Sequence, residues 1–143
     1  MSYQLLDKIA DLYTPLFAIA LLLGAFWFKK GAAFPFILRS ALAFVVVQQL
    51  SKYLQKKEVF GDDWPSTHFA VALALAVCHI ALKRQLWPYA IGAVTCYGAL
   101  MLYIHSLRPS EYHTPFEMMG ALFAIPLAAL FHWKPRKARV RTN

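Results

Sequence analysis

Two polar stretches of the sequence contain the residue types that could carry out chemistry. His113 and Glu117 are four residues apart, so on a helix they share a face and the carboxylate can hold one imidazole nitrogen. The other nitrogen is then available as a nucleophile or base. His68 follows Ser66 and Thr67 at the expected start of an apolar helix, where it could give a proton to a leaving group. This combination predicts metal-independent phosphoryl transfer through a histidine.

The same two stretches contain groups that could bind a phosphate. Lys52, Lys57 and Arg108 supply positive charge, and arginine adds a forked set of donors. Ser66 and Thr67 offer a hydroxyl and backbone amides at a helix N-terminus, which attracts anions. We therefore predict that these five residues bind phosphate. No group of residues has the spacing of a zinc site, so we expect neither a metal nor a cofactor.

Several of these residues also have a purely structural interpretation. Thr114-Pro115-Phe116-Glu117 has the pattern of a capping box with proline at the first helical position, and taken alone this favours Glu117 as a helix cap. Arg108 could equally bind lipid headgroups. His79 and His132 lie in or near apolar runs, and we interpret both as structural.

Long apolar runs must position these residues. The chain has 143 residues, of which 59% are hydrophobic and 15% are charged, whereas about 25% of residues are charged in a soluble domain. So much apolar surface requires a lipid solvent. Five runs have about the length of a membrane-spanning helix: residues 11–28, 34–54, 67–82, 87–107 and 114–133. We predict one all-α integral membrane domain of about five transmembrane helices, followed by a short basic tail at residues 134–143.

Charge divides the segments between these runs into two sets. All seven acidic residues fall in the set that contains the candidate site. The other set contains no acid and consists of the basic tail together with Lys29, Lys30, Lys83 and Arg84. The positive-inside rule then predicts a cytoplasmic carboxyl terminus, an outer amino terminus and a site on the outer face. The pattern suits a bacterial inner membrane. The net charge of +8 forms no basic stripe, so we expect membrane lipids and no nucleic acid as partners, and the oligomeric state stays open.

The residues around the two histidines resemble the type 2 phosphatidic acid phosphatase superfamily. That family carries a lysine followed by Arg-Pro, then Pro-Ser-Gly-His, then Ser-Arg with a downstream histidine and an aspartate four residues later. Pro65-Ser66-Thr67-His68 resembles the second motif. The segment from His113 to Glu117 resembles the end of the third, with Ser106 at the expected serine distance. The resemblance covers residues 52–120.

The resemblance implies a role for each matching residue. His113 would form phosphohistidine, Glu117 would orient it and His68 would protonate the leaving group. Ser66 and the amides near Thr67 would bind phosphate oxygens, while Lys52 matches the lysine of the first motif. The chain departs from the family at five positions: Thr67 replaces glycine, Glu117 replaces aspartate, Val59 and Phe60 occupy the Arg-Pro positions, and Leu107 stands in place of the third-motif arginine, with Arg108 beside it.

The activity implied by the resemblance is hydrolysis of a lipid phosphate or diphosphate at the outer face. Undecaprenyl diphosphate, phosphatidylglycerol phosphate, phosphatidic acid and a lipid A phosphate are all compatible substrates. Two alternatives remain open. One is a lipid phosphotransferase of the same fold, and the other is a non-catalytic lipid-binding membrane protein.

Overall fold

The structure is a computed structural model that describes residues 3–109 and 112–133. Within these residues every regular element is helical: α1 (Tyr3–Lys29), α2 (Ala33–Lys56), α3 (Thr67–Leu82), α4 (Trp87–Leu107), α5 (Pro115–Gly120) and α6 (Ala124–His132). Short 3-10 turns at Lys30–Ala32, Arg84–Leu86 and Ala121–Phe123 connect neighbouring helices. The basic tail lies outside the described residues. The predicted all-α class is confirmed for the part of the chain that is described.

The chain reverses direction between α1 and α2. Lys30 has a positive φ of 44°, which is a left-handed conformation typical of tight turns. Gly24, near the end of α1, lies against Leu82 at the end of α3. The side chain of Gln55, near the end of α2, accepts a hydrogen bond from Thr67 at the start of α3. The two helices therefore run along α3 in opposite directions.

Helix α3 is the centre of the bundle. It packs against α1, α2, α4 and α6, and ten of its 16 residues are buried. Alanines at 70, 72, 74 and 76 are among these buried residues. Small side chains let neighbouring helices approach closely, which is how helices associate when lipid surrounds them. A helix that is apolar all round is expected to be buried in this way.

The outer helices present large apolar side chains on the outside of the bundle. Trp27, Phe34 and Leu130 are 79%, 75% and 66% exposed. Three continuous helical stretches of the described residues are long and apolar enough to cross a membrane: Gln4–Lys56, Arg84–Leu107 and Pro115–His132. The first of these contains the reversal at Lys30–Ala32, and α3 is apolar but shorter. These features fit an integral membrane protein, as predicted, while length and composition alone do not establish five crossings.

Two helix boundaries differ from the predicted apolar runs. Helix α1 begins at Tyr3 rather than at residue 11, because Leu6 and Ala10 are buried in a cluster that includes residues of α4. The last run is interrupted by the 3-10 turn at Ala121–Phe123. Pro126 has no N–H to bond the carbonyl four residues earlier, and its ring crowds that carbonyl. The turn falls where this regular α-helical bond is missing.

Candidate functional site

The start of α3 is held in place by Ser66. Its hydroxyl oxygen accepts a hydrogen bond from the Phe69 amide at 3.4 Å, which makes Ser66 the N-cap of the helix. The backbone N–H of Ser66 donates to the carbonyl oxygen of Glu117 at 2.9 Å. Ser66 is completely buried. It therefore ties the first turn of α3, which carries His68, to α5.

The start of α5 contains both features that the sequence predicted for Glu117. Thr114 Oγ1 accepts a hydrogen bond from the Glu117 amide at 3.3 Å, and Glu117 Oε2 accepts one from the Thr114 amide at 3.1 Å. This is a complete capping box. The same Oε2 atom lies 3.0 Å from Nδ1 of His113. Glu117 is thus a helix cap and the partner of the histidine at once.

His68 and His113 face each other across a cavity. Their ring centroids are 6.0 Å apart and the ring planes are inclined by 49°. Both side chains line a cavity of about 370 Å³, which we call the histidine cavity. Its remaining lining residues are Asp7, Asp11, Asp63, Tyr97, Pro109, Tyr112, Thr114 and Glu117. Because Glu117 engages Nδ1 of His113, Nε2 is the ring nitrogen left for a molecule in the cavity.

The segment before His113 is anchored by a third histidine. His105, in the last turn of α4, makes a 3.0 Å hydrogen bond between its Nδ1 and the carbonyl oxygen of Tyr112. Since a carbonyl accepts, Nδ1 carries the proton in this contact. His105 therefore connects the end of α4 to the residue that immediately precedes His113.

The predicted cationic residues are placed elsewhere at this end of the bundle. Lys52 and Lys57 are exposed on and just beyond α2, and Lys57 Nζ lies 5.9 Å from the centroid of the Tyr53 ring. Arg108 directly follows α4 and is exposed. None of these three residues lines the histidine cavity. Their assignment to phosphate stays a prediction, as does that of Thr67, whose hydroxyl donates to Gln55.

Three carboxylates besides Glu117 line the histidine cavity, and they were not identified as lining residues from the sequence. Asp7 and Asp11 are one helical turn apart on α1, and Asp63 precedes α3. The i, i+4 spacing of the first two was the available signal. Among the described residues no group of three histidine, cysteine or acidic side chains is arranged to hold a metal ion. The cavity therefore combines a histidine–carboxylate pair, a second histidine and an acidic wall.

Comparison with known proteins found no matching family model, no matching curated protein and no matching solved structure.

Proposed function

We propose that this protein is a metal-independent phosphatase of membrane lipids that acts through a phosphohistidine on His113. The observation that carries the proposal is the 3.0 Å contact between His113 Nδ1 and Glu117 Oε2, on the wall of a cavity that His68 also lines. A carboxylate on Nδ1 fixes the tautomer in which Nε2 is unprotonated and nucleophilic. The motif resemblance to the type 2 phosphatidic acid phosphatases supports the same chemistry.

The reaction proceeds in two balanced steps. Nε2 of His113 attacks phosphorus, the bond from phosphorus to the lipid oxygen breaks, and protonated His68 gives its proton to that oxygen. A water molecule then attacks the phosphohistidine, the phosphorus–nitrogen bond breaks and neutral His68 accepts the proton of the water. Glu117 stabilises the positive charge that forms on the His113 ring. The products are a lipid alcohol, or a lipid monophosphate from a diphosphate, and inorganic phosphate.

An in-line reaction requires more room than the two rings leave between them. An attacking nitrogen about 3 Å from phosphorus and an acid within about 3 Å of the leaving oxygen require roughly 7 Å between the two nitrogens. The ring centroids are 6.0 Å apart, and nitrogens directed at a phosphate between the rings lie closer together than the centroids. The proposed reaction therefore requires His113 and His68 to move apart when a phosphate enters the cavity.

The acidic wall weakens the binding of a lipid phosphate. Asp11 and Asp63 are exposed to solvent and Asp7 is half-buried, so each repels an approaching phosphate by less than about 1 kcal/mol in salt. Repulsion of this size weakens binding without preventing the reaction.

The proposed substrates are undecaprenyl diphosphate, phosphatidylglycerol phosphate, phosphatidic acid or a lipid A phosphate. The proposed phosphate-binding residues are Lys52, Lys57, Arg108, Ser66 and Thr67. None of them lines the histidine cavity, so to bind the phosphate their side chains would have to move toward it.

We further propose that the chain crosses a bacterial inner membrane five times, through α1, α2, α3, α4 and the α5–α6 segment. The reversal at Lys30–Ala32 supports separate crossings by α1 and α2. The proposed orientation has the amino terminus and the histidine cavity outside and the carboxyl terminus in the cytoplasm. It is supported by the acids near His68 and His113 and by the basic residues at the other end.

The decisive experiment compares leaving groups in purified protein in detergent. His113→Ala should abolish release of phosphate from dodecyl phosphate and from nitrophenyl phosphate, and no acid-labile phosphoprotein should form. His68→Ala should lower turnover of the dodecyl ester by about 10²–10⁴-fold and that of the nitrophenyl ester far less, because nitrophenolate leaves without protonation. Lys56→Ala, an exposed change at the same end, is the control. Near wild-type activity in His113→Ala would refute the proposal.

A second candidate is a non-catalytic lipid-binding protein. It is favoured by one observation, which is that no lysine or arginine lines the histidine cavity among the described residues. The same assay separates the two candidates. A binding protein would release no phosphate from any lipid phosphate, whereas a phosphotransferase would consume the lipid only when an acceptor alcohol is present.

A further inference from the structure

The end of the bundle opposite the histidine cavity contains a second polar cavity of about 240 Å³, which we call the basic cavity. Three helices each contribute one basic side chain to it. Lys29 ends α1, Arg39 lies in the second turn of α2 and His132 ends α6. The sequence pattern favours a structural role for His132 and places Lys29 among the basic residues of the acid-free set. Among the residues that the structure describes, no carboxylate lines this cavity.

Two of the three basic side chains, Lys29 and His132, are connected by a chain of contacts. Lys29 Nζ lies 5.7 Å from the centroid of the Phe36 ring, and that ring lies 5.0 Å from the His132 ring. Nε2 of His132 is 3.3 Å from the hydroxyl oxygen of Ser40, which is buried. Arg39 is exposed and lines the same cavity as Lys29, so two positive charges border one small space. A bound anion would neutralise this concentration of positive charge.

An apolar groove of about 800 Å³ adjoins the basic cavity. Its wall is formed by Val77, Ile80 and Ala81 of α3, by Ile125, Ala129 and His132 of α6, and by Trp133. Ala81 and His132 line both the groove and the basic cavity, so the two spaces are adjacent. The groove has the volume of a typical ligand pocket, about 300–1,000 Å³.

A basic cavity beside an apolar groove fits a molecule with an anionic head and a hydrocarbon chain. Arginine and lysine are the side chains that bind phosphate oxygens in proteins, and basic pockets between transmembrane helices hold anionic lipid headgroups. We propose that this end of the bundle binds one anionic phospholipid. Its phosphate lies in the basic cavity among Lys29, Arg39 and His132, and one acyl chain lies in the groove between α3 and α6. This site is distinct from the histidine cavity and does not depend on the proposed phosphatase activity.

Charge-matched variants test the headgroup part of this proposal. Native mass spectrometry of the detergent-purified full chain would measure binding of phosphatidylglycerol and phosphatidylcholine with identical acyl chains. We expect phosphatidylglycerol to bind at least about tenfold more tightly to the wild-type protein. The double variant K29Q/R39Q should lose that preference. The control K83Q/R84Q removes the same charge from exposed residues near the same end that do not line the cavity, and it should keep the preference. If both double variants lose the preference for phosphatidylglycerol equally, the preference results from the net charge of this end of the bundle and not from the basic cavity. That result would overturn the proposal.

A second pair of variants tests the acyl chain. Ala129→Phe places a ring in the groove and should weaken phosphatidylglycerol binding at least about fivefold, while Leu130→Phe, on the exposed side of α6, should not. Glycerol 3-phosphate carries the charge without the chains and should fail to displace the bound lipid at a hundredfold excess. Displacement by glycerol 3-phosphate would mean that the cavity binds free phosphate esters. No effect of Ala129→Phe would mean that the groove holds no chain, and either result would overturn the lipid assignment.

Discussion

At the scale of single residues, one oxygen atom of Glu117 makes two contacts whose consequences can be separated. Oε2 accepts a hydrogen bond from the Thr114 amide and lies 3.0 Å from His113 Nδ1. Glutamine keeps an oxygen for the amide and loses the charge. We expect Glu117→Gln to unfold within a few degrees of the wild-type temperature while losing on the order of 10²–10⁴-fold in phosphatase turnover, because an uncharged partner no longer stabilises the imidazolium.

Thr114→Ala is the matched variant, since it removes the other half of the capping box. It should cost about 0.5–2 kcal/mol in the free energy of unfolding and leave the His113–Glu117 contact in place, so turnover should fall only slightly. The two measurements are thermal unfolding and turnover at a temperature where both variants are folded. If Glu117→Gln keeps wild-type turnover, Glu117 is a helix cap only.

The acidic wall leads to a prediction about substrate affinity. Asp11 is exposed and lines the histidine cavity, so its charge repels an anionic lipid phosphate. Asp11→Asn should lower KM by about two- to fivefold at low salt, with kcat unchanged, and the difference should shrink as salt screens the charge. Asp62→Asn is the control, because Asp62 is also exposed at this end but does not line the cavity. A higher KM in Asp11→Asn would indicate that the wall binds a positively charged part of the substrate.

The positions of individual site residues were predictable where the signal is local. The i, i+4 spacing of His113 and Glu117 was enough to predict their contact, and the N-cap pattern at Ser66 placed His68 in a first helical turn. Asp7 and Asp11 were missed because their position on the cavity wall depends on how α1 packs beside α4. That packing is a tertiary feature, and the i, i+4 spacing of the two residues shows only that they share a helix face.

At the scale of elements, the approach of the 61–66 loop to α5 depends on one glycine. A Cβ atom at Gly120 would overlap Trp64 Nε1. The Trp64 indole also packs on Phe60 and Phe116, at centroid distances of 4.7 and 6.4 Å. Gly120→Ala should therefore displace Trp64 and lower the free energy of unfolding by about 1–3 kcal/mol. Activity should fall as well, because Trp64 immediately precedes the residues that begin α3.

Gly92→Ala provides the control for this substitution. Gly92 lies within α4 with nothing within 4 Å of its built Cβ, so alanine should be neutral or stabilise the helix by up to about 1 kcal/mol. Thermal unfolding of both variants in the same detergent is the measurement. An unchanged melting temperature in Gly120→Ala would show that Trp64 does not depend on this contact.

Helix boundaries were predictable only where they coincide with an end of apolar sequence. The bounds of α3 and α4 match the predicted runs at residues 67–82 and 87–107, because caps, basic residues and Trp87 mark those ends. The start of α1 did not match, since its first turns are polar on one face and are held by Leu6 and Ala10 on the other. The break before α6 could be predicted only from a single residue, Pro126, which lies inside an otherwise continuous apolar run.

At the scale of the whole molecule, α3 is shorter than the membrane it is proposed to cross. Its 16 residues extend about 24 Å at 1.5 Å per residue, against about 30 Å for the hydrocarbon core of a bilayer. The mismatch is tolerable because α3 is surrounded by α1, α2, α4 and α6 and so contacts protein along most of its length. The apolar exteriors of the longer helices meet the lipid instead.

Cysteine labelling on the two sides of α3 tests this arrangement directly. Asp62 precedes α3 and Arg84 follows it, and both are exposed. In a background of Cys78→Ala and Cys96→Ser, which removes both native cysteines, Asp62→Cys should react with a membrane-impermeant maleimide on intact spheroplasts. Arg84→Cys should react only after permeabilisation, and a reporter fused after Asn143 should be cytoplasmic.

If the cysteines at 62 and 84 react from the same side, α3 does not cross the membrane and the five-crossing proposal fails. If both sites report the reverse orientation, five crossings survive but the histidine cavity faces the cytoplasm, and the lipid substrates would have to come from the inner leaflet.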